Sequence, residues 1–597
     1  MSRRRWIPPA LAAVTALAAV STPASAAPEP DAMTSWAHAA LRHLSLEEKV
    51  GQLFVATVWG KSADEAHPEN LKRYGVDTPA QVVQRYKVGG VIYFNNPTTD
   101  NVDDPRQLLR FSNGLQKAAL TSGAHIPLLI SIDQEGGNVT RVVSPASEYP
   151  SAMALGAARR PEDAKRLAAI SAHELRAMGV TQNFAPVADV NSNPINPIIA
   201  ARSFSSDPTL AGQMVSAQIA GYQRSGWPGE TVSAAAKHFP GHGDAAEDSH
   251  TGLPNIARTE EQWRKIDLPP FKAAIAAGID SIMTAHITVP SLDPSGEPAT
   301  LSKPIMTGLL RNELRYDGVV VTDSLAMEGV RKKHTDAEIP VLALEAGVDQ
   351  MLMPPNLQIT IDGVLAAVRS GRISEQRIDQ SVLRILKQKW NRGVFLKPFA
   401  DERALPREVG TKQNLAEIQK VSDRTVTVLR NDAKLLPLKT VPNKVLVTGW
   451  NNPVAAGAPA EPVAKLAKEI GPNATALSTG GSPTAALVDQ AVAAANGSDL
   501  VIVLTNGLRT SAPQRNLVTK LLATGKPVIA VAAQVPYDPG FADVPTWITT
   551  YAWRDVSITS LAKVILGKVS PTGKLPVNVP TADPAQILFP FGTGLTW

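Results

Sequence analysis

The chain has 597 residues, of which 44% are hydrophobic and 19% are charged, values typical of a soluble globular protein with more than one domain. It contains no cysteine, which excludes disulfide bonds, thiol catalysis and a lipid anchor on a cysteine side chain. The formal net charge is +5, and loss of the first 26 residues would remove three arginines and no acid, leaving +2. A charge this small on so long a chain gives no reason to expect a nucleic-acid partner.

The first 26 residues have the order of a secretory signal peptide. Arginines at 3–5 precede the apolar run at 11–20, and Ala-Ser-Ala at 24–26 forms a small-residue cleavage site. A membrane anchor is the alternative, but the run is much shorter than the ~20 residues that a spanning helix needs. We therefore expect a secreted protein, extracellular or cell-wall associated, with no membrane-spanning segment after removal of the signal.

Short apolar runs alternate with longer amphipathic stretches from residue 50 to about 355. Because continuous apolar strands separated by helices indicate parallel strands covered on both faces, eight such units predict a (β/α)₈ barrel. A doubly wound open sheet is the structural alternative. The eight predicted strands are 52–58, 88–94, 127–133, 181–187, 232–238, 280–286, 318–323 and 348–353.

The barrel hypothesis requires chemistry at the carboxyl ends of its strands. Four of the eight ends carry an ionisable or imidazole side chain where a buried position would favour an apolar one. The predicted ends are Val58, Phe94, Asp133, Val187, His238, His286, Asp323 and Met353.

A second α/β pattern follows the barrel. Its predicted strands are 425–430, 444–450, 499–505 and 527–533, with alanine-rich helical segments between them. No G-x-G-x-x-G follows the first of these strands, which argues against a dinucleotide site. We assign 34–395 to the barrel domain, 396–420 to a linker and 421–597 to the second domain.

The densest group of polar residues is KHFPGHGDAAEDSH at 237–250. Its glycines and proline predict a shaped loop after a strand. The histidines and acids could bind a metal, although their spacing matches no familiar zinc pattern; they could also stabilise the loop, or form a catalytic site. Asp323, at a later strand end, is either a helix N-cap or a reacting group.

These motifs resemble those of glycoside hydrolase family 3, in its β-N-acetylglucosaminidase branch. The resemblance covers the barrel and extends to SPTGKLPVNVP at 570–580 and FPFGTGLTW at 589–597, which are similar to the family's second, α/β-sandwich domain. The barrel motifs, in order, are DQEGG at 133–137, NFAPVADV at 183–190, ARSFSSDP at 201–208, KHFPGHGD…DSH at 237–250, TAHI at 284–287 and VVTDSLAM at 320–327.

The resemblance implies a role for individual positions. Asp323 would be the nucleophile of a retaining reaction, and His250 the general acid/base, oriented by Asp248. Asp244 and His242 would hold the loop together. The positions implied to bind the terminal sugar are Asp133, Arg141, Arg202, Lys237 and His238. The chain departs from similar enzymes at Asn138, where an arginine usually follows DQEGG.

The expected activity is hydrolysis of terminal β-linked N-acetylglucosamine from cell-wall muropeptides or chitin oligosaccharides. Phosphorolysis of the same bond and β-glucosidase activity are alternative enzymatic activities, and a non-catalytic protein that binds the cell wall is an alternative of another class. The expected partner is a small carbohydrate, and no metal or organic cofactor is implied. The oligomeric state stays open, with a monomer as the working expectation.

Overall fold

The computed structural model describes residues 30–121, 124–452 and 461–597. The predicted signal peptide at 1–26 lies outside these ranges, and its assignment stays a prediction.

Eight parallel strands close into a barrel in which every strand pairs with its neighbours in chain order and the last pairs with the first. This arrangement confirms the predicted (β/α)₈ fold and is not that of an open doubly wound sheet. Each predicted apolar run overlaps one of the strands. They are β1 (Phe54–Thr57), β2 (Gly90–Tyr93), β3 (Leu129–Ile132), β4 (Gln182–Asn183), β5 (Ser233–Phe239), β6 (Ser281–Thr284), β7 (Val319–Ser324) and β8 (Gln350–Leu352).

Helices surround the barrel, and their starts follow local capping rules. At Leu46–Gln52, for example, the Ser45 hydroxyl accepts from the Glu48 N–H while the Glu48 carboxylate accepts from the Ser45 N–H. None of the helices in the described ranges is long and apolar enough to cross a membrane. The helices of this part of the chain are Pro30–Arg42, Leu46–Gln52, Pro68–Tyr74, Pro79–Tyr86, Pro105–Thr121, Ala152–Ala158, Pro161–Ala177, Pro208–Arg224, Glu260–Ile266, Leu268–Ala276, the π-helix Pro304–Glu313, Glu328–Arg331, Ile339–Ala346, Leu357–Arg369, Glu375–Asn391, Leu405–Glu408 and Lys412–Ser422.

Short 3₁₀ turns and a hairpin complete the connections. The 3₁₀ turns are Ala200–Arg202, Pro228–Glu230 and Ala299–Leu301, and the hairpin pairs Asn95–Asn96 with Thr99–Asp100.

Side chains that point inward from the strands fill the barrel as one buried layer. This layer closes the barrel below its carboxyl end and forms the floor of the cavity described below. Its members are Val55, Ile92, Phe184, Ala235, Met283, Val321 and Leu352.

The second domain is built on a six-stranded sheet with the strands β9 (Thr427–Asn431), β10 (Val445–Gly449), β11 (Ala474–Ser478), β12 (Leu500–Thr505), β13 (Val528–Ala532) and β14 (Thr546–Thr549). Their order in the sheet is β9-β14-β13-β12-β10-β11, and only the β9–β14 pair is antiparallel. Four of these strands were predicted. The fifth, β11, is an edge strand with mostly exposed side chains, so no continuous apolar run marks it; the sixth, β14, is short and also went unassigned.

Helices cover both faces of this sheet, and a small two-stranded ribbon follows them. The two faces bury separate apolar clusters, as expected for a sheet between helical layers. The helices are Pro462–Ile470, Ala485–Asn496, Ala512–Ala523 and Asp555–Ile565, with a 3₁₀ turn at Asp538–Phe541 and the ribbon at Val579–Pro580 and Ile587–Phe589.

Candidate active site

A cavity of about 400 Å³ opens at the carboxyl ends of the barrel strands. Its floor includes Ile92, Met283 and Leu352 from the buried inward layer. Seven of the eight predicted site residues line this cavity, and the eighth, Asp248, is hydrogen-bonded to His250, which is one of the seven. The seven are Asp133, Arg141, Arg202, Lys237, His238, His250 and Asp323.

A network of two acids and two cations forms one wall of the cavity, which we call the charged wall. Its members are Asp133, Glu135, Arg202 and Lys237. The Lys237 ammonium lies 2.7 Å from Asp133 Oδ1 and 2.7 Å from Glu135 Oε1. Glu135 in turn accepts two hydrogen bonds from Arg202, at 2.8 and 2.9 Å. Such charge-assisted, paired bonds fix side-chain geometry firmly. The wall is thus a rigid set of donors and acceptors suited to the hydroxyl groups of a sugar.

The charges in this wall stabilise one another. Burial alone would raise the pKa of the Glu135 carboxyl, but Arg202 and Lys237 outweigh it and hold the pKa far below its usual range. Burial would likewise lower the pKa values of Lys237 and Arg202, yet the neighbouring carboxylates raise both above their ordinary values. All three groups are therefore charged at neutral pH. Glu135 lies within the DQEGG motif, but the sequence by itself indicates no role for it.

His238 enters the cavity because β5 is irregular at this point. The pairing register with β6 shifts between Lys237 and Phe239, so two consecutive side chains, Lys237 and His238, both reach the cavity instead of alternating between faces. His238 Nδ1 lies 2.7 Å from Asp189 Oδ2. This contact leaves Nε2 3.5 Å from Arg202 and 4.0 Å from Asp323 Oδ2.

Asp189 is a second residue that sequence reasoning left unassigned. Its Oδ1 accepts from the backbone N–H of His238 at 3.1 Å and of His242 at 2.7 Å. Burial would raise the pKa of Asp189, but the neighbouring imidazoles of His238 and His242 and these hydrogen bonds lower it. In the sequence, only its place inside the NFAPVADV motif indicates that Asp189 belongs to the site. Asp189 joins the end of β5 to the loop that follows.

Asp323 stands near the end of β7 and points a carboxylate into the cavity. Asp323 is not a helix N-cap, because the next helix starts at Glu328 and Met327 occupies its N-cap position. Burial would raise the pKa of Asp323, but His238, His286 and the Ser324 N–H, which donates at 2.7 Å, lower it. The side chain is therefore an anion at neutral pH, as attack on an electrophilic carbon requires.

His286 lies behind this strand end and is fully buried. Its Nε2 contacts the Ser324 carbonyl at 3.0 Å and its Nδ1 contacts the Thr300 hydroxyl at 2.8 Å. Burial lowers the pKa of His286. These contacts give it a structural place under the β7 end, although the sequence had marked it only as a polar strand end.

His250 and Asp248 form a hydrogen-bonded pair on the loop after β5. Asp248 Oδ1 lies 2.7 Å from His250 Nδ1 and accepts from the His250 N–H at 2.8 Å. The His250 side chain is 59% exposed and also lines the cavity. Because the carboxylate takes the Nδ1–H, the second ring nitrogen is the one available for proton exchange.

The earlier part of this loop is held by buried contacts. His242 Nε2 lies 2.9 Å from the Ser249 hydroxyl, and burial lowers the pKa of His242 to about 4, so this ring is neutral. Asp244 accepts from Arg258 at 2.9 Å. Gly243 lies against the Val190 carbonyl, where an added Cβ would come within 1.9 Å of the oxygen. These contacts anchor the loop from His242 to Asp244 and again at Ser249, the residue between Asp248 and His250.

Arg141 lines the cavity beside the end of β2. Its guanidinium lies over the Phe94 ring, 5.2 Å from the centroid, and its backbone N–H donates to Gln134 at 2.8 Å. Asn138 lies in the tight turn between these residues, directly after Gly137. Within the described ranges, no group of three or more histidine, aspartate or glutamate side chains is arranged to hold a metal ion.

Comparisons with known proteins agree on the two-domain layout. The profile "Glycosyl hydrolase family 3 N terminal domain" matches residues 45–388, and "Glycosyl hydrolase family 3 C-terminal domain" matches residues 426–597. A solved β-N-acetylglucosaminidase of that family from Paenibacillus sp. str. FPU-7 is 35% identical, with a TM-score of 0.82, over 90% of this chain and 99% of that one.

Curated relatives are similar over different shares of their length. β-Hexosaminidase A of Pseudoalteromonas piscicida is 38% identical over 52% of this chain, and the match spans about half, 54%, of that protein. A protein of Cellulomonas fimi named β-N-acetylglucosaminidase/β-glucosidase is 27% identical over 91% of this chain and 95% of its own length. β-Hexosaminidase of Pseudomonas aeruginosa is 34% identical over 46% of this chain and 77% of its own.

Proposed function

The chain belongs to glycoside hydrolase family 3, and from this premise we propose that it is a retaining exo-β-N-acetylglucosaminidase. One observation carries the proposal: the anionic Asp323, the charged wall and the His250–Asp248 pair border the same cavity. The similarity to proteins named as β-hexosaminidases and β-N-acetylglucosaminidases supports the choice of sugar.

In the first half-reaction Asp323 attacks the anomeric carbon of the terminal sugar. The glycosidic carbon–oxygen bond breaks, a glycosyl-aspartate ester forms, and the protonated His250 gives its proton to the departing oxygen. A nucleophile on one face and a proton donor at the leaving oxygen are what retention requires. Asp248 holds the imidazole in the tautomer that performs this transfer.

In the second half-reaction the neutral His250 accepts a proton from water. The resulting hydroxide attacks the anomeric carbon and the ester bond to Asp323 breaks. The free sugar leaves with its original anomeric configuration. Both roles of His250 need a mobile, solvent-accessible ring, in agreement with its 59% exposure.

The charged wall, together with Arg141 and His238, binds the hydroxyl groups of the terminal sugar. Lys237, Arg202 and Arg141 donate to sugar oxygens, and Asp133 and His238 provide further hydrogen bonds. Because the acids and cations already pair with one another, little ordering remains to be done when the sugar binds. This pre-organisation favours an exo-acting enzyme, one that binds the terminal sugar of the glycan.

The natural substrates on this hypothesis are muropeptides or chitin oligosaccharides outside the cell, reached by a protein exported through its signal peptide. Phosphorolysis is the second candidate, since a neutral imidazole base does not repel a phosphate nucleophile. A non-catalytic wall-binding protein is the third, but it would have no use for the His250–Asp248 geometry. Immunodetection of the chain in culture medium, wall and cytoplasmic fractions tests export.

One assay separates the enzymatic candidates. Purified protein is incubated with nitrophenyl β-N-acetylglucosaminide and nitrophenyl β-glucoside, each with and without phosphate, and the released sugar is identified. Free N-acetylglucosamine in both buffers supports the proposal. A sugar 1-phosphate formed only with phosphate indicates a phosphorylase, preference for the glucoside indicates a β-glucosidase, and no turnover of either refutes enzymatic function on these bonds.

A further inference from the structure

The second domain contacts two loops of the barrel. One is the turn after β3, which carries Glu135, and the other is the loop after β4, which carries Asp189, the hydrogen-bond partner of His238 and His242. Both contacts are made by buried side chains of the second domain, Arg554 and Tyr537, which are 2% and 8% exposed. From this geometry we propose that Arg554 and Tyr537 are positioning residues of the active site, so that the second domain sets the geometry of a catalytic cavity that none of its described residues (421–452 and 461–597) lines. This inference rests on the proposed function.

Arg554 holds the tip of the turn that follows β3. Its Nε donates to the Gly137 carbonyl at 2.8 Å, and its guanidinium lies 3.6 Å from Glu148. The turn is tight: the N–H groups of Glu135 and Gly136 both donate to the Val139 carbonyl, and the Gly137 N–H donates to Tyr149. Fixing Gly137 therefore fixes Glu135, two residues earlier in the same turn.

Glu135 is the residue through which this contact reaches the sugar wall. It pairs with both Lys237 and Arg202, so a displacement of the turn would misalign two of the predicted sugar donors together. A buried hydrogen bond from a charged donor is worth more than one between neutral groups. Arg554 accordingly acts on ground-state sugar binding, through Glu135.

Tyr537 holds the loop that follows β4. Its hydroxyl accepts from the Asn191 side-chain amide at 2.7 Å. Asn191 is two residues beyond Asp189, which bonds His238 and His242. Val190, between them, lies directly against Gly243. This second contact thus supports His238 and the anchored half of the loop that bears His250.

The interface offers a matched control. Arg424 also joins the two domains, by a two-pronged ion pair with Asp163 at 2.7 and 2.9 Å. Asp163 lies in the first turn of the helix Pro161–Ala177, and neither residue lines the cavity. Loss of this ion pair weakens the same interface between the two domains. It leaves the contacts of Arg554 and Tyr537 with the loops after β3 and β4 in place.

The experiment compares Arg554→Met, Arg554→Lys, Tyr537→Phe and Arg424→Met in the full-length protein. We expect Arg554→Met to raise KM for nitrophenyl β-N-acetylglucosaminide about tenfold, with a smaller change in kcat, and Arg554→Lys to restore part of the loss because it keeps one donor. Tyr537→Phe, which removes a single hydroxyl, should lower kcat/KM about fivefold. Arg424→Met should lower the thermal midpoint and leave KM within twofold of the parent.

Positioning is refuted if Arg554→Met folds, lowers the thermal midpoint as Arg424→Met does and leaves KM within twofold of the parent. If Arg554→Met does not fold, Tyr537→Phe decides: kcat/KM equal to the parent's overturns the inference, and a fivefold loss with an unchanged midpoint supports it. A parent protein without turnover would instead refute the proposed function, and the positioning role with it. The two failures are therefore distinguishable.

Discussion

Replacing Glu135 by glutamine tests whether the charged wall is the sugar-binding surface. The change keeps the shape of the side chain and one acceptor oxygen, but it removes the negative charge 2.7 Å from Lys237 and opposite Arg202. The side chains of Glu135 and Lys237 are only 5% and 3% exposed. Water therefore cannot reach the ammonium group to solvate it in place of the lost carboxylate. Removing one partner of such a buried pair costs about 3–5 kcal/mol.

A part of this cost should appear in substrate binding, because the same two cations donate to the sugar. If about half of this cost appears in the enzyme–substrate complex, KM rises roughly 10- to 60-fold, at about 1.4 kcal/mol for each factor of ten. The assay is steady-state hydrolysis of nitrophenyl β-N-acetylglucosaminide, with denaturant unfolding of the same sample to measure stability. We expect kcat to fall less than kcat/KM, since Asp323 and His250 are untouched.

Asp349→Asn is the matched control for stability. Asp349 is a fully buried acid at the opposite end of the barrel, just before β8, and it pairs with Arg311, Arg377 and Arg384. Both variants should lose stability of similar magnitude, whereas only Glu135→Gln should raise KM. An unchanged KM in Glu135→Gln, or an equal rise in Asp349→Asn, would refute the reasoning.

Three further predictions concern the nucleophile, the acid/base pair and a buried lysine. Asp323→Ala should lose several orders of magnitude in turnover while it still binds N-acetylglucosamine by calorimetry; activity within a few-fold of the parent would end the nucleophile assignment. His250→Ala should slow substrates with poor leaving groups about 10²- to 10⁴-fold, far more than nitrophenyl substrates, and azide should restore turnover of the latter; Asp248→Asn should cost less, and uniform loss across a leaving-group series would contradict the acid/base role. Lys389 is fully buried with Gln52 as its hydrogen-bond partner, and burial lowers its pKa from 10.5 to about 7. Between these two values the unfolded chain binds the extra proton, so stability from this group rises with pH by roughly 4–5 kcal/mol from pH 7 to 10.5 and is flat below pH 7. Lys389→Met should therefore raise the free energy of unfolding at pH 7 and much less near pH 10, and an equal change at both would contradict the assignment.

Sequence patterns determined the barrel because its strands are buried on both faces and so appear as continuous apolar runs. The strand ends then placed Asp133, His238 and Asp323 at one edge, and the family motifs identified the loop that bears His250. Strand β11 was missed for the converse reason: its side chains are mostly exposed, so its sequence has no apolar run to mark it.

Only the tertiary structure decided which side chains meet. Glu135 pairs with Arg202 across 67 residues of sequence, and Arg554 reaches Gly137 across 417. No local propensity encodes such contacts, because they arise when barrel closure and domain docking bring distant segments together. The register shift in β5 is of the same kind: strand periodicity sends Lys237 and His238 to opposite faces, and only the irregular pairing with β6 turns both toward the cavity.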